Sequence, residues 1–244
     1  MEFVDRSYWE NQVSKFKYEI AADGDLVRQL ISRWLTRVDN KTALEIGCVP
    51  GRYLGYLGTL GYKLYGIDIL SDSLQSMKEW LVISGFRMGD MSCLELESMP
   101  TSNKFDLVCS FGLLEHFEDY HSILKKHMDL VAPNGILIIT TPNYIGWGQN
   151  LLHRWLDKEN LARHNVLSMQ PAQWADWIKH SNFEILYQGY FGYFSFWVEE
   201  SDRRNWLKRM IVSCLIKTLP ITSRLLPNNT KCLSPFCGVV ARKK

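Results

Sequence analysis

The chain has 244 residues, 46% hydrophobic and 22% charged, with a formal net charge of +2. That composition supplies one sizeable core, and the near balance of charge argues against a nucleic-acid partner, which usually draws on a larger or more clustered basic surplus. No apolar run reaches the ~18 residues of a membrane span, and the polar opening Met1–Gln12 lacks an apolar signal core, so a cytoplasmic chain is expected. The cysteines agree: Cys48 and Cys109 sit at apolar strand ends, and Cys232 and Cys237 have no second pair or His cluster with which to hold zinc.

In chain order, the first forty residues read as helical, because Leu26, Val27, Leu30, Ile31, Trp34 and Leu35 recur at helix spacing. Ala43–Gly47 is a short apolar strand running into a turn with glycines at 47 and 51. A helix over Arg52–Leu60, a strand over Lys63–Ile69 and a helix over Ser73–Ser84 follow. Phe86–Met88 reads as a third strand, Phe105–Ser110 as a fourth, Tyr120–Val131 as a helix and Ile136–Thr140 as a fully apolar fifth strand. Alternation at this spacing predicts a parallel sheet with helices on both faces, and strands apolar on both sides fit its middle. A long excursion, Asn143–Met169, precedes a helix over Pro171–His180, and Phe183–Tyr190 and Phe236–Ala241 read as the last two strands. Repeats and low-complexity linkers are absent.

Ligands of open parallel sheets bind beyond the carboxyl ends of the strands, and the chemistry-bearing residues fall at those ends. Glu45, Gly47, Cys48 and Gly51 surround the first turn, where glycine permits positive φ and close approach of the backbone. Asp68, followed by Ile69, ends the second strand, where a carboxylate can accept both hydroxyls of a ribose. Asp90 can take an adenine amino proton while Met91 packs on the base, and Ser110 and Phe111 end the fourth strand.

The run Leu44–Gly51 resembles motif I of the class I S-adenosylmethionine (SAM)-dependent methyltransferases, an acidic residue followed by three alternating glycines, with Val49 at the middle glycine. Asp68, Asp90-Met91, Phe105–Val108 and Pro133–Gly135 fall where that family has its later motifs. The resemblance covers roughly Ala43–Thr140 and implies a Rossmann-like, seven-stranded, mostly parallel sheet whose last strand pair is antiparallel. It implies SAM as cofactor and a single domain over 1–244: a helical lid (1–40), the cofactor core (41–142), an acceptor-side cap (143–170) and an insertion (199–226). Val49 beside the expected methionine portion of SAM leaves a non-catalytic interaction module as an alternative. A nicotinamide-dependent oxidoreductase is the weaker rival, because Gly47–Arg52 does not supply G-x-G-x-x-G.

For catalysis, Glu115-His116 resembles a pair in the ubiquinone-type O-methyltransferases, some of which add an upstream acid to hold magnesium. Gly112 stands at that acid's place, so no metal is expected. His116 is a candidate general base with Glu115 beside it, the alternative being a His that caps the next helix. His164, in the excursion, is the second candidate. Asn143, Tyr144, Arg154, Arg163 and Asn165 are candidate acceptor contacts, the arginines suiting a phosphate or carboxylate. Without an Asn-Pro-Pro-Tyr run, O-methylation of a small-molecule, sugar or lipid-linked acceptor is expected over methylation of a base nitrogen. Residues 203–219 form a basic amphipathic stripe, apolar at 207, 210, 211, 214, 215 and 219. It predicts either contact with an anionic membrane, suiting an isoprenoid quinone precursor or a lipid-linked glycan, or packing on the body or a twin subunit.

Overall fold

β1 (Thr42–Ile46), β4 (Phe105–Phe111) and β5 (Val131–Pro142) are the most apolar segments, and they occupy the interior of one seven-stranded sheet. β2 (Lys63–Asp68) and β3 (Met88–Cys93) extend it on one side, β7 (Phe236–Lys243) and β6 (Phe183–Phe191) on the other, giving the order β3-β2-β1-β4-β5-β7-β6. The first five strands are parallel, and β7 runs antiparallel between β5 and β6, as expected. The computed structural model describes residues 4–13, 15–196, 198, 206, 210–214, 217–218, 223 and 226–244. Most of the insertion expected at 199–226 lies outside the described residues.

Helices cover both faces. On one side α2 (Leu26–Trp34), α3 (Arg52–Thr59) and α4 (Ser71–Ile83) bury Leu30, Ile31, Leu54, Leu57, Met77 and Leu81 against Ala43, Leu64 and Leu107. On the other, α5 (Tyr120–Leu130) and α8 (Pro171–His180) bury Ile123, Leu124, Met128, Trp174 and Ile178 against Leu44, Val108 and Ile139. Alternate residues of one strand thus feed two separate cores.

Two boundaries differ from the sequence reading. The helical N-terminal region is α1 (Arg6–Val13) and α2, with non-helical chain over residues 15–25. The third strand begins where its expected span ended. Phe86 belongs to the helix layer, since a Cβ on Gly58 of α3 would meet its ring at 2.6 Å. Met88–Cys93 looks turn-like because it is polar and carries Gly89, yet as an edge strand bonded only to β2 it need not be apolar on both faces.

Asp25 fastens the N-terminal region to the sheet. Its side chain accepts the Arg28 N–H at the start of α2, pairs with Arg52 at 2.8 Å and accepts the Tyr53 hydroxyl at 3.3 Å. Asp25→Ala removes a helix cap and a half-buried ion pair together. It should lower unfolding free energy by about 1–2 kcal/mol in urea titration.

Candidate active site

Five residues of turn, 47–51, connect β1 to α3. Gly47 (φ 69°) and Gly51 (φ 81°) are both left-handed, and a Cβ on Gly51 would lie 2.6 Å from Met77 Sδ. The turn is bound to the end of β2 through Asp68. The Val49 N–H donates to Oδ2 at 3.0 Å and the Leu70 N–H to Oδ1 at 3.1 Å. Burial raises the Asp68 pKa, and these backbone bonds oppose the rise by favouring the carboxylate. Beneath the turn, Glu45 accepts from the backbone of Leu54 in the first turn of α3, where Gly51 offers no side-chain cap. Burial first, and the Asp68 charge second, push its carboxyl well above the usual range. Its Oε2 is buried without a hydrogen-bond partner among the described residues.

A cavity of about 260 Å³ opens over these strand ends. Gly47, Val49, Asp68 and Ile69 form one wall, Phe111, Leu113 and His116 another, and Leu94 with Glu95 and Glu97 a third. Trp9 and Val13 of α1, with Phe16, complete the lining, so the N-terminal helix stands over the mouth. The residues fit a nucleoside-bearing sulfonium: a glycine cradle, a carboxylate at the second strand end, apolar surface for a base, and the faces of Trp9 and Phe111 for a cation.

Of the ten expected cofactor residues, Gly47, Asp68, Ile69 and Phe111 line this cavity. Glu45 and Gly51 shape the turn from below. Cys48 points into the α2–α4 core, with its Sγ 2.7 Å from where a Gly66 Cβ would stand, and Met91 packs there too. Asp90 lines the neighbouring groove with Ser92, which donates to it at 2.6 Å. The acids that reach the cavity beside Asp68 are Glu95 and Glu97. Register sets this: Cys93 pairs with Asp68, so the acid beyond the third strand is Glu95. Ser110 is also turned away. It sits 3.0 Å from Nε2 of His127, whose Nδ1–H donates to the Ile123 carbonyl, so Ser110 must be the donor.

The acceptor-side expectations fare differently. Asn143 is a buried clamp: its Nδ2 donates to the carbonyls of Lys231 and Ser234, and its Oδ1 accepts from Gly146. Asn165 staples the cap to the loop after β4, donating its backbone N–H to Glu115 and its side-chain amide to Phe117. Arg154 faces outward, and Arg163 stacks over Tyr8 at 4.6 Å. Tyr144 is buried between His153 and His164, at ring distances of 4.2 and 5.0 Å. None of these five side chains lines the cavity.

The fold does bring Glu115, His116 and His164 together, with one ligand atom of each inside 4.8 Å of the others. Both imidazoles are oriented by backbone carbonyls. His116 Nδ1 lies 3.2 Å from the Arg163 oxygen and His164 Nδ1 2.7 Å from the Asn160 oxygen, so each carries its proton on Nδ1 and keeps the Nε2 lone pair. Burial, then the neighbouring His164, lower His116 to about 3; burial lowers His164 to about 4 and raises Glu115 to about 8. At neutral pH the cluster is two neutral imidazoles and a protonated carboxyl. Two imidazoles and a carboxylate could ligate a divalent ion if Glu115 gave up its proton. The third member of the group, His164, comes from the cap. Trp9 meets the edge of His116 at 4.8 Å.

Residues 18–188, well over half of the chain, match the family model described as a methyltransferase domain. The chain belongs to that family. That family is one of class I SAM-dependent methyltransferases, so the family match supports the methyltransferase reading over the nicotinamide alternative. The methyltransferase is 28% identical over 128 residues to the ubiquinone biosynthesis O-methyltransferase of Bradyrhizobium diazoefficiens, a match covering 47% of this chain and 48% of the relative. It thus spans about half the length of the curated relatives it matches. A putative methyltransferase from Bacillus halodurans shares the fold at TM-score 0.61 and 16% identity, over 88% of this chain and 97% of the other. The magnesium protoporphyrin IX methyltransferase of Synechocystis, solved with bound SAH, does so at 0.53 and 14%, over 89% and 79%. At these identities the likeness is one of fold.

The buried histidines give the methyltransferase a pH signature. His127, lowered by burial to about 4, is neutral when folded and titrates near 6.5 when unfolded. The unfolded chain therefore binds more protons between those values, and stability is lost as pH falls through that window, by up to ~1.4 kcal/mol per pH unit for this group. His116 and His164 act in the same direction. His127→Gln should flatten the slope of unfolding free energy between about pH 6.5 and 4, read by denaturant titration at each pH.

Proposed function

We propose that the methyltransferase methylates a hydroxyl oxygen of a small-molecule, sugar or lipid-linked acceptor, with His116 as the general base. One observation carries this reading: His116 reaches the cavity wall beside Phe111, with its Nδ1–H fixed on the Arg163 carbonyl and its Nε2 lone pair unprotonated. The relatives' names, ubiquinone biosynthesis O-methyltransferase, support the choice of oxygen.

SAM supplies an activated methyl on a sulfonium, and the residues that would hold it are Gly47, Val49, Asp68, Ile69 and Phe111. What remains for the protein is alignment, worth on the order of 7–11 kcal/mol, and removal of one proton. A base as weak as His116 suffices for that proton. The acceptor hydroxyl becomes strongly acidic as its oxygen gains a third bond to the incoming methyl, so a neutral imidazole takes the proton without deprotonating a free alcohol first. His164 and Glu115 are positioning residues. His164 packs against the His116 ring at 4.7 Å, and the Asn165–Glu115 backbone bond ties the segment that carries His164 to the loop that carries Glu115 and His116. α1 closes the mouth with Trp9 and excludes water from the transfer.

SAM affinity should fall at least ~10-fold in Asp68→Ala by calorimetry, as expected when a buried charge-assisted hydrogen-bond acceptor is lost. Turnover would be measured with methyl-labelled SAM and a panel of phenolic, sugar and amine acceptors, at matched cofactor occupancy. His116→Ala should lose at least ~10²-fold in kcat and His164→Ala less. Label appearing only on amines would overturn the O-methyl reading, and full activity in His116→Ala would remove it as base.

A further inference from the structure

We infer that α6 (Trp147–Leu156) is a membrane-docking face that seats the methyltransferase on an anionic lipid surface. This rests on the lipid-linked branch of the proposed function and locates where the lipid would be met. The helix buries a largely polar side and leaves large apolar residues on its outer side. Its inner side is part of the body: Gly148, Gln149, His153 and Leu156 are buried, and the Gln149 amide donates to the carbonyls of Ser195 and Leu233. Its outer side carries Trp147, Leu151 and Trp155 at i, i+4 and i+8, which are 66%, 61% and 56% exposed. Large side chains left in water at three successive turns are a surface that wants covering, since a soluble face normally scatters such residues singly.

The chemistry around the stripe selects the occupant. Arg154 and Lys158 are exposed beside it, and Lys231 is exposed on the segment packed under the start of α6. Among the described residues, Asp157 is buried against His153 and Asn160, and Glu159 lies 3.9 Å from Arg163. Tryptophan with leucine, flanked by cations, is what the headgroup region of a bilayer holds best: the rings sit at the polar boundary and the cations meet anionic headgroups. A second copy of the chain fits worse, because a two-fold contact would set Arg154 and Lys158 against themselves. The next helical residues in space extend the surface. Val212 and Ile211 share an apolar cluster with Leu152 and Leu156, while Trp206 and Met210 are exposed.

Position gives the face its use. The cap that bears the stripe outside bears Tyr144 and His164 inside, and His164 lies against His116 at the cavity wall. A surface held by α6 is therefore met by the same cap that carries His164 against the proposed base, so an acceptor carried on a lipid would be presented on the side of the molecule that bears the site.

The test is co-sedimentation of the whole chain with vesicles of phosphatidylcholine alone or mixed with phosphatidylglycerol. We expect binding to the mixed vesicles, weakened by high salt. Leu151→Asp with Trp155→Ser should reduce it at least ~10-fold, as should Arg154→Glu with Lys158→Glu. All four positions are exposed, and unchanged SAM affinity by calorimetry certifies that each variant is folded. Failure of wild type to sediment with anionic vesicles, or equal binding by the variants, overturns the inference and leaves the methyl-transfer reading intact. So does a concentration-dependent dimer, seen by analytical ultracentrifugation, that the same substitutions abolish. Loss of SAM binding in wild type would instead strike at the reading on which the inference rests.

Discussion

The bond pair at Asp68 organises the site. Two strand ends must present their backbones to one ligand, and nothing in a parallel ladder fixes the loops beyond those ends. One carboxylate does so by accepting the Val49 N–H from the first loop and the Leu70 N–H from its own. Its position follows from β1–β2 register, in which Ile46 pairs with Ile67, placing Asp68 one residue beyond the last rung. Glu45 supports the same turn from beneath. With both acids buried within reach of each other, their carboxyls interact unfavourably, a cost typical of sites that must offer acceptors before the ligand arrives.

The second half of the site is supplied by the cap. His164 reaches the cluster because α7 (Lys158–Ala162) turns the chain back, and the Asn160 carbonyl fixes the imidazole. Behind it stands a buried polar set. Asp157 accepts from Asn160 at 2.8 Å and meets His153 at 3.0 Å. Buried polar groups of this kind are costly unless paired, and here they pair with one another beside the apolar cluster of Leu156, Phe194 and Phe196.

What the sequence made legible follows from this division. The strands of the sheet and Gly47, Asp68 and Phe111 are local signals: apolar runs, a glycine turn, an acid at a strand end. Asp90 was misplaced by motif spacing because the β2–β3 register shifts between Leu64 and Gly66, a bulge that no residue type announces. Ser110 was taken for a ligand contact because strand ends read alike from either face. The meeting of His116 with His164 depends on tertiary closure of a forty-odd-residue separation, which no periodicity encodes. Asn143 and Asn165 show the converse: polar residues in a cap look like ligand contacts, yet buried amides are as often consumed by backbone carbonyls.

The placement of β7 bears on how the molecule assembles. β5 and β6 never pair directly; each finds its neighbour only in the strand of residues 236–243 that slides between them. Until that strand arrives, β5 has one edge open and Phe183–Phe191 has no partner at all. During synthesis the cofactor half can settle while the acceptor half waits, with a long-range pairing as its closing step. The interval exposes an apolar strand edge, so conditions that slow completion of the chain should favour its capture by chaperones or its aggregation.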